Sequence, residues 1–94
     1  MLVRRVIVSG EVQGVGFRAA TERRAQALRG LRGYVRNLTD GRVEAVFAGG
    51  DADVLDLVTW CGRGPPGSGV TEIQIIEEPA AIAVGLPEKF VIRY

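Results

Sequence analysis

The chain has 94 residues, 47% hydrophobic and 24% charged, a composition that describes one globular domain and excludes both a disordered segment and a two-domain protein. It contains no histidine and a single cysteine, Cys61, which excludes a Ser-His-Asp or Cys-His nucleophile, an internal disulfide and a zinc site of the usual Cys/His type. The net charge is only +1, but residues 1–42 hold nine arginines against three acids. This imbalance hints at an anionic ligand in that half, although arginines on the solvent-exposed side of a helix account for most of it.

The first half of the chain predicts a strand, a helix and a hairpin, in that order. Residues 2–9 are rich in β-branched residues and predict a strand, and the arginines inside this apolar pattern argue against a signal peptide. Residues 17–29 are dense in helix formers, and Gly30 follows where a C-terminal cap glycine belongs. Two short strands, 33–38 and 42–48, flank a Thr-Asp-Gly turn and are therefore expected to pair as a hairpin.

The second half predicts a helix, a strand, a loop and a final strand. Asp51 offers an N-cap to the helix, which is expected to end at Gly62 and the Gly-Pro-Pro-Gly run that follows. The apolar face of this helix is predicted to consist of Val54, Leu57, Val58 and Cys61. A strand over residues 70–78, a loop over 79–87 and a strand over 89–94 complete the chain.

The order β-α-β-β-α-β plus one last strand is that of the ferredoxin-like split βαβ arrangement, an α+β fold. We therefore expect an antiparallel sheet with two helices packed on one face, built by residues 1–94 as a single domain. The aspartates at the start of the second helix are expected to cap and solvate it, and not to form a metal cluster; they are Asp51, Asp53 and Asp56. Trp60 and Cys61 are expected in the core.

The stretch GEVQGVGFR, residues 10–18, lies between the first strand and the first helix. A helix N-terminus has N–H groups without intrahelical partners, and glycines at positions 14 and 16 permit a concave loop whose N–H groups surround an anion. Arg18 would then grip two phosphate oxygens with its planar guanidinium. The stretch lacks the lysine and serine or threonine of a P-loop, so a tight turn followed by a surface arginine is an equal alternative.

This stretch, the sequence GYVRNLTDGRVE at residues 33–44, the Gly-Pro-Pro-Gly run and the ending FVIRY together resemble the acylphosphatase family over nearly the whole chain. The resemblance implies hydrolysis of the carboxyl–phosphate bond of acyl phosphates to a carboxylate and inorganic phosphate, with no metal and no cofactor. It implies that Arg18 binds the phosphate and that Asn37 holds the attacking water. The phosphate cradle implied by the resemblance consists of the backbone amides of Gln13, Gly14, Val15, Gly16, Phe17 and Arg18.

The chemistry of these residue types agrees with the implied roles. Asn37 is neutral and cannot act as a base, but its amide can accept one hydrogen bond and donate another, which orients a water. Because Asn37 cannot take the proton of the water, the proton is expected to go to the nearest acceptor, the substrate's own phosphate oxygen. The carboxylate leaving group is a weak base and needs no acid. Without the family pattern, an asparagine beside a Thr-Asp-Gly turn is better explained as a hairpin cap.

Two positions depart from the family's usual sequence. Ala20 stands where an aromatic residue is frequent, and Glu11 stands where a basic residue is frequent. A carboxylate at position 11 would repel an anionic substrate if it faced the pocket, which affects the expected efficiency rather than the class of reaction.

Two alternatives to an enzyme use the same fold. An RNA-binding module would need stacking aromatics on the sheet, and only 6% of the residues are aromatic. A non-catalytic module that binds phosphate or carbamoyl phosphate would keep the cradle without turnover.

We expect an enzyme whose ligands are a small-molecule acyl phosphate, inorganic phosphate or other small anions. Neither nucleic acid nor a membrane is an expected partner, and the protein is expected to be a cytoplasmic monomer.

Overall fold

The computed structural model describes all of residues 1–94 and contains one five-stranded sheet and two α-helices. The elements, in chain order, are β1 (Leu2–Glu11), α1 (Phe17–Gln26), β2 (Arg32–Asn37), β3 (Val43–Gly49), α2 (Asp51–Arg63), β4 (Gly69–Glu78), a 3₁₀ helix (Ala80–Gly85) and β5 (Val91–Arg93). The strand order is β4-β1-β3-β2-β5, which confirms the split βαβ arrangement. The sheet is mixed rather than wholly antiparallel, because β5 pairs in parallel with β2. Neither helix is long and apolar enough to cross a membrane.

The main core lies between one face of the sheet and the two helices. Alternate residues of β1 and β3 point toward the helices, and the central strand β3 is buried along its whole length. The four residues predicted for the buried face of α2, namely Val54, Leu57, Val58 and Cys61, are all buried there. Ala20 is also buried in this core, where it contacts the sheet layer from α1.

Three predicted helix boundaries are wrong. Helix α1 ends at Gln26 rather than at residue 29, because the chain turns early and brings Leu31, which is 4% exposed, into the core. Asp51 is the first helical residue of α2 and not its N-cap; Gly50 occupies that position, and no side chain caps the helix. Gly62 lies inside α2, which ends at Arg63.

The second face of the sheet is partly covered by the segment predicted to be a loop. The 3₁₀ helix at Ala80–Gly85 lies here, and Ala83 and Leu86 pack with Val3, Tyr34, Val46 and Ala48 in a small apolar cluster. Because these apolar side chains find a partner on the sheet, the segment acquires a fixed conformation that its sequence pattern does not predict.

The same face carries an ion cluster that joins four strands. The buried carboxylate of Glu44 on β3 accepts hydrogen bonds from Arg5, from Nε of Arg36 at 2.7 Å and from the Tyr34 hydroxyl at 3.2 Å. Arg5 also pairs with Glu78 on β4 at 2.9 Å. Burial by itself raises the pKa of Glu44, but the hydrogen bonds from Arg36 and Arg5 outweigh burial, so the pKa lies below its usual value.

We predict that Glu44→Gln lowers the free energy of unfolding by about 3 kcal/mol at pH 7, because it leaves charged arginines without their buried partner. The pKa of Glu44 is lower in the folded protein than in the unfolded chain. The parent therefore has the greater free energy of unfolding at any pH above the unfolded-state pKa of Glu44. The advantage is lost as the pH falls through the folded-state pKa. Urea unfolding of parent and variant at pH 7 and at pH 3 measures both effects.

The matched control is Glu77→Gln, because Glu77 also pairs with an arginine of β1, Arg4 at 3.2 Å, but its side chain is 83% exposed. An exposed pair contributes about 1 kcal/mol or less, so this variant should unfold nearly as the parent does. Equal losses from the two substitutions would contradict a special role for the buried cluster.

Candidate functional site

A cavity of about 220 Å³ opens where β1 is followed by α1, beside the end of β2. Its walls come from the segment after β1, the first turn of α1, the last residue of β2 and the C-terminal strand region. The lining residues are Val12, Gly14, Gly16, Phe17, Arg18, Ala19, Asn37, Ile92 and Tyr94. The fold thus brings together Arg18, Asn37 and part of the predicted cradle; the remaining cradle residues, Gln13 and Val15, are adjacent in sequence but do not line the cavity.

The two glycines of the GEVQGVGFR stretch are required by their backbone angles. Gly14 has φ +76° and Gly16 has φ +80°, in the left-handed region that other residues rarely adopt, while a Cβ atom at either position would meet nothing within 4 Å. Gly16 is also the N-cap residue of α1, and it offers no side chain to the helix. The left-handed turns therefore shape the segment that leads from β1 into the helix.

The backbone N–H groups of residues 13–19 donate no hydrogen bond to any protein acceptor. The first residues of a helix have no intrahelical acceptor by geometry, and here the preceding loop residues also lack one. Their partial positive charge is reinforced by the helix dipole, which favours a negative charge near the start of α1. Consecutive free N–H groups beside a cavity are the features of an anion site.

Arg18 lies in the first turn of α1, and its guanidinium carbon is 5.1 Å from the centre of the Tyr94 ring. No carboxylate forms an ion pair with Arg18, so the charge remains available to a ligand. The Tyr94 side chain is almost fully exposed, so this contact neither buries the Arg18 guanidinium nor neutralises it. Sequence reasoning missed Tyr94, because nothing in the sequence indicates that β5 lies beside β2 and so brings Tyr94 close to α1.

Asn37 is the last residue of β2 and pairs with Val43 of β3. Its side-chain Oδ1 is buried and has no hydrogen-bond partner. The turn beyond it is closed by other groups: the Leu38 N–H donates to Arg42 O at 2.8 Å, and the Arg42 N–H donates to Asp40 Oδ1 at 3.1 Å. The Asn37 side chain takes no part in the turn, so the hairpin-cap alternative is wrong and a free acceptor remains.

The other residues weighed from the sequence lie away from this cavity. Burial raises the pKa of the Cys61 thiol to about 12, which leaves it protonated and unreactive. Trp60 is buried and its ring packs 5.5 Å from that of Phe17, so it supports the first residue of α1 from the core side. Glu11 is exposed and is not among the residues that line the cavity.

Comparisons with known proteins identify the family to which the chain is similar. A sequence model of the acylphosphatase family matches residues 4–92. An acylphosphatase of Rubrobacter xylanophilus is 56% identical over 77 residues, which cover 82% of this chain and 69% of that protein. The crystal structure of an acylphosphatase from Bacillus subtilis superposes with a TM-score of 0.88 and 38% identity, covering 100% of both chains.

A similar domain also occurs inside a larger protein. The crystal structure of full-length HypF in its phosphate- and nucleotide-bound form matches 99% of this chain, with a TM-score of 0.77 and 30% identity. The match covers only 12% of that protein, whereas the acylphosphatase of Bacillus subtilis is covered completely. The family model, the relatives and the solved structures lead to one conclusion: the chain belongs to the acylphosphatase family.

Proposed function

We propose that this acyl-phosphate hydrolase binds the phosphoryl group with Arg18 and the amides of residues 13–18, and that Asn37 positions the attacking water. The observation that carries the proposal is the meeting, at one cavity, of a row of free N–H groups, an arginine without a carboxylate partner and a buried carbonyl oxygen without a donor. These are the groups needed to stabilise the negative charge on the equatorial oxygens of a phosphoryl-transfer transition state and to hold one water.

The phosphoryl group is stabilised in two ways. Backbone N–H groups donate to its equatorial oxygens, where charge is spread in the transition state, and they need no rearrangement during the reaction. The guanidinium of Arg18 adds a full positive charge and a planar pair of donors.

Asn37 supplies the acceptor for the nucleophilic water. A buried oxygen without a donor costs about 1–3 kcal/mol, and a water that donates one hydrogen to Oδ1 removes this cost. The water is thereby held by a strand residue with a fixed position in the sheet, and attack requires it to lie in line with the bond to the leaving group.

The proton of the water passes to a phosphate oxygen of the substrate in this proposal. No Asp, Glu or Lys side chain lines the cavity, and the chain has no histidine, so the Tyr94 hydroxyl is the one side-chain group of the cavity wall to which, besides the substrate's own oxygens, a proton transfer could be assigned. The departing carboxylate is a weak base and leaves without protonation, which makes catalysis depend on positioning and charge stabilisation alone.

We also propose that the product, inorganic phosphate, binds at the same cavity, and that residues 1–94 act as one monomeric domain in the cytoplasm without nucleic acid. The large hydrophobic side chains that are exposed are Met1, Leu55, Ile75, Val84 and Tyr94. They come from both chain ends, α2, β4 and the 3₁₀ helix, a distribution that favours a monomer over an obligate oligomer.

We predict that the parent hydrolyses benzoyl phosphate in a buffer containing a chelator, and that Arg18→Ala and Asn37→Ala each lower kcat/KM on the order of a hundredfold. Arg18→Ala should also weaken inhibition by inorganic phosphate, because it removes a phosphate ligand. Asn37→Ala should leave that inhibition nearly unchanged, since the water site is separate from the phosphate.

Arg23→Ala is the control for these two variants, since Arg23 is exposed on the same helix and does not line the cavity. It should behave as the parent does. A parent protein that binds phosphate but shows no turnover would favour the non-catalytic binding module instead.

The cradle predicts a specific effect of Gly16→Ala. The substitution forces a side chain into the left-handed region and costs about 1 kcal/mol of stability without a steric clash. Gly30→Ala imposes the same strain at φ +78°, also in open space, but outside the cavity. We expect similar losses of stability from both, measured by urea unfolding, and a loss of activity and of phosphate binding from Gly16→Ala alone. Equal activity of the two variants would argue against a cradle at residues 13–18.

Transfer of the proton to the substrate predicts that no carboxylate near the cavity is essential. Glu11→Gln should leave kcat within about threefold of the parent, whereas removal of a true general base costs on the order of a hundredfold or more. The measurement is kcat for benzoyl phosphate at saturating substrate. A deep loss of kcat in this variant would overturn proton transfer to the substrate.

A further inference from the structure

The side chain of Gln13 spans the gap between the cradle segment and the hairpin that follows Asn37. Its Nε2 group donates to Leu38 O at 2.8 Å and to Arg42 O at 2.9 Å. Leu38 and Arg42 stand on either side of the Thr-Asp-Gly turn and are themselves joined by a backbone hydrogen bond of 2.8 Å. One side-chain amide thus uses both of its hydrogens on the base of the hairpin.

The two hydrogen bonds of Gln13 Nε2 join two parts of the site that the sheet keeps separate. Strands β1 and β2 are not neighbours, because β3 lies between them. Asn37 pairs with Val43, and Val43 in turn pairs with Val8 of β1, so the ladder reaches the cradle only through an intervening strand. Residues 12–16 belong to no helix or strand, and their N–H groups from residue 13 onward make no bond within the protein.

We infer that the Gln13 side chain is a positioning residue: it fixes the cradle relative to Asn37, so that the water on Asn37 lies in line with the phosphoryl group. The inference rests on the proposed function: the Gln13 side chain makes no contact with the substrate and acts only through the cradle and Asn37, while the backbone N–H of Gln13 remains part of the proposed cradle. Its physical basis is the sensitivity of in-line attack to distance, where a displacement of about 1 Å costs on the order of a hundredfold in rate.

The side-chain chemistry at position 13 is specific to this task. Both partners are carbonyl oxygens, so the residue must donate twice from a single nitrogen, and it must do so without a charge that would compete with Arg18. Methionine has similar length and volume but no donor. Asparagine keeps the N–H donors, but its side chain is one methylene shorter, so these donors lie farther from the two carbonyl oxygens.

The first test compares Gln13→Met and Gln13→Asn with the parent in benzoyl phosphate hydrolysis. We expect Gln13→Met to lower kcat on the order of tenfold or more and Gln13→Asn to lower it less. The inhibition constant for inorganic phosphate should change by less than about threefold in both, because Arg18 and the cradle amides are still present. Unchanged kcat, or a parallel loss of kcat and phosphate binding, would overturn the inference.

The second test asks whether Gln13 acts through Asn37. Introduced into the Asn37→Ala protein, Gln13→Met should produce no further loss of kcat, because there is no longer a positioned water to misalign. If Gln13→Met instead loosened the fold in general, the fold-losses of kcat in the two single variants would multiply in the double variant. If Gln13→Met lowers stability enough to unfold the protein at the assay temperature, the milder change Gln13→Asn replaces it in the same comparison with Asn37→Ala.

Gln26→Met is the matched control. Gln26 also donates from Nε2 to a distant backbone carbonyl, Phe90 O at 2.8 Å, but this bond does not involve the hairpin or the cradle. The control should keep the kcat of the parent. If Asn37→Ala itself retains full activity, the proposed water site fails; if Asn37→Ala is inactive and Gln13→Met is not, only the role of Gln13 fails.

Discussion

Seven consecutive backbone N–H groups, residues 13–19, find no acceptor within the protein, and the candidate site is arranged around this row. Unpaired N–H groups are costly only when buried; Gly14 and Gly16 are exposed, so water can accept from this segment at little cost. An oxyanion can accept from several such groups at once and also gains from the helix dipole. The left-handed angles at Gly14 and Gly16 lead the chain directly into α1 and keep the row together.

The other groups of the site are held by more rigid parts of the molecule. Asn37 ends a strand whose neighbour, β3, is buried along its whole length. On the opposite face, the Glu44 carboxylate joins Arg5 and Arg36 and so resists any slip of β1 and β2 relative to β3. A loop without backbone N–H bonds of its own is thereby placed between a strand-held acceptor and a helix, and its position relative to Asn37 depends on side-chain contacts such as that of Gln13.

Local patterns predicted which elements form but placed several of their ends wrongly. The tripeptide Ala27-Leu28-Arg29 has good helix propensity, yet α1 stops before it because the chain must turn to bury Leu31. Propensity describes the helix alone and carries no information about the sheet that the next residues must reach. For the same reason the segment over residues 79–87 was predicted as a loop, although its apolar side chains pack on the second face of the sheet.

The sequence by itself determined the order of the elements, the glycine pair ahead of Arg18 and the place of Asn37 at the base of a hairpin. Such features depend on residue spacing and on the backbone freedom of single residues, which are local properties. Only the tertiary structure decided that Tyr94 lies against Arg18, that Asn37 Oδ1 lacks a donor and that Gln13 reaches the hairpin. These contacts join residues far apart in the chain. They exist only once strand order and register have brought the C-terminal ends of β1, β2 and β5 to the same end of the sheet.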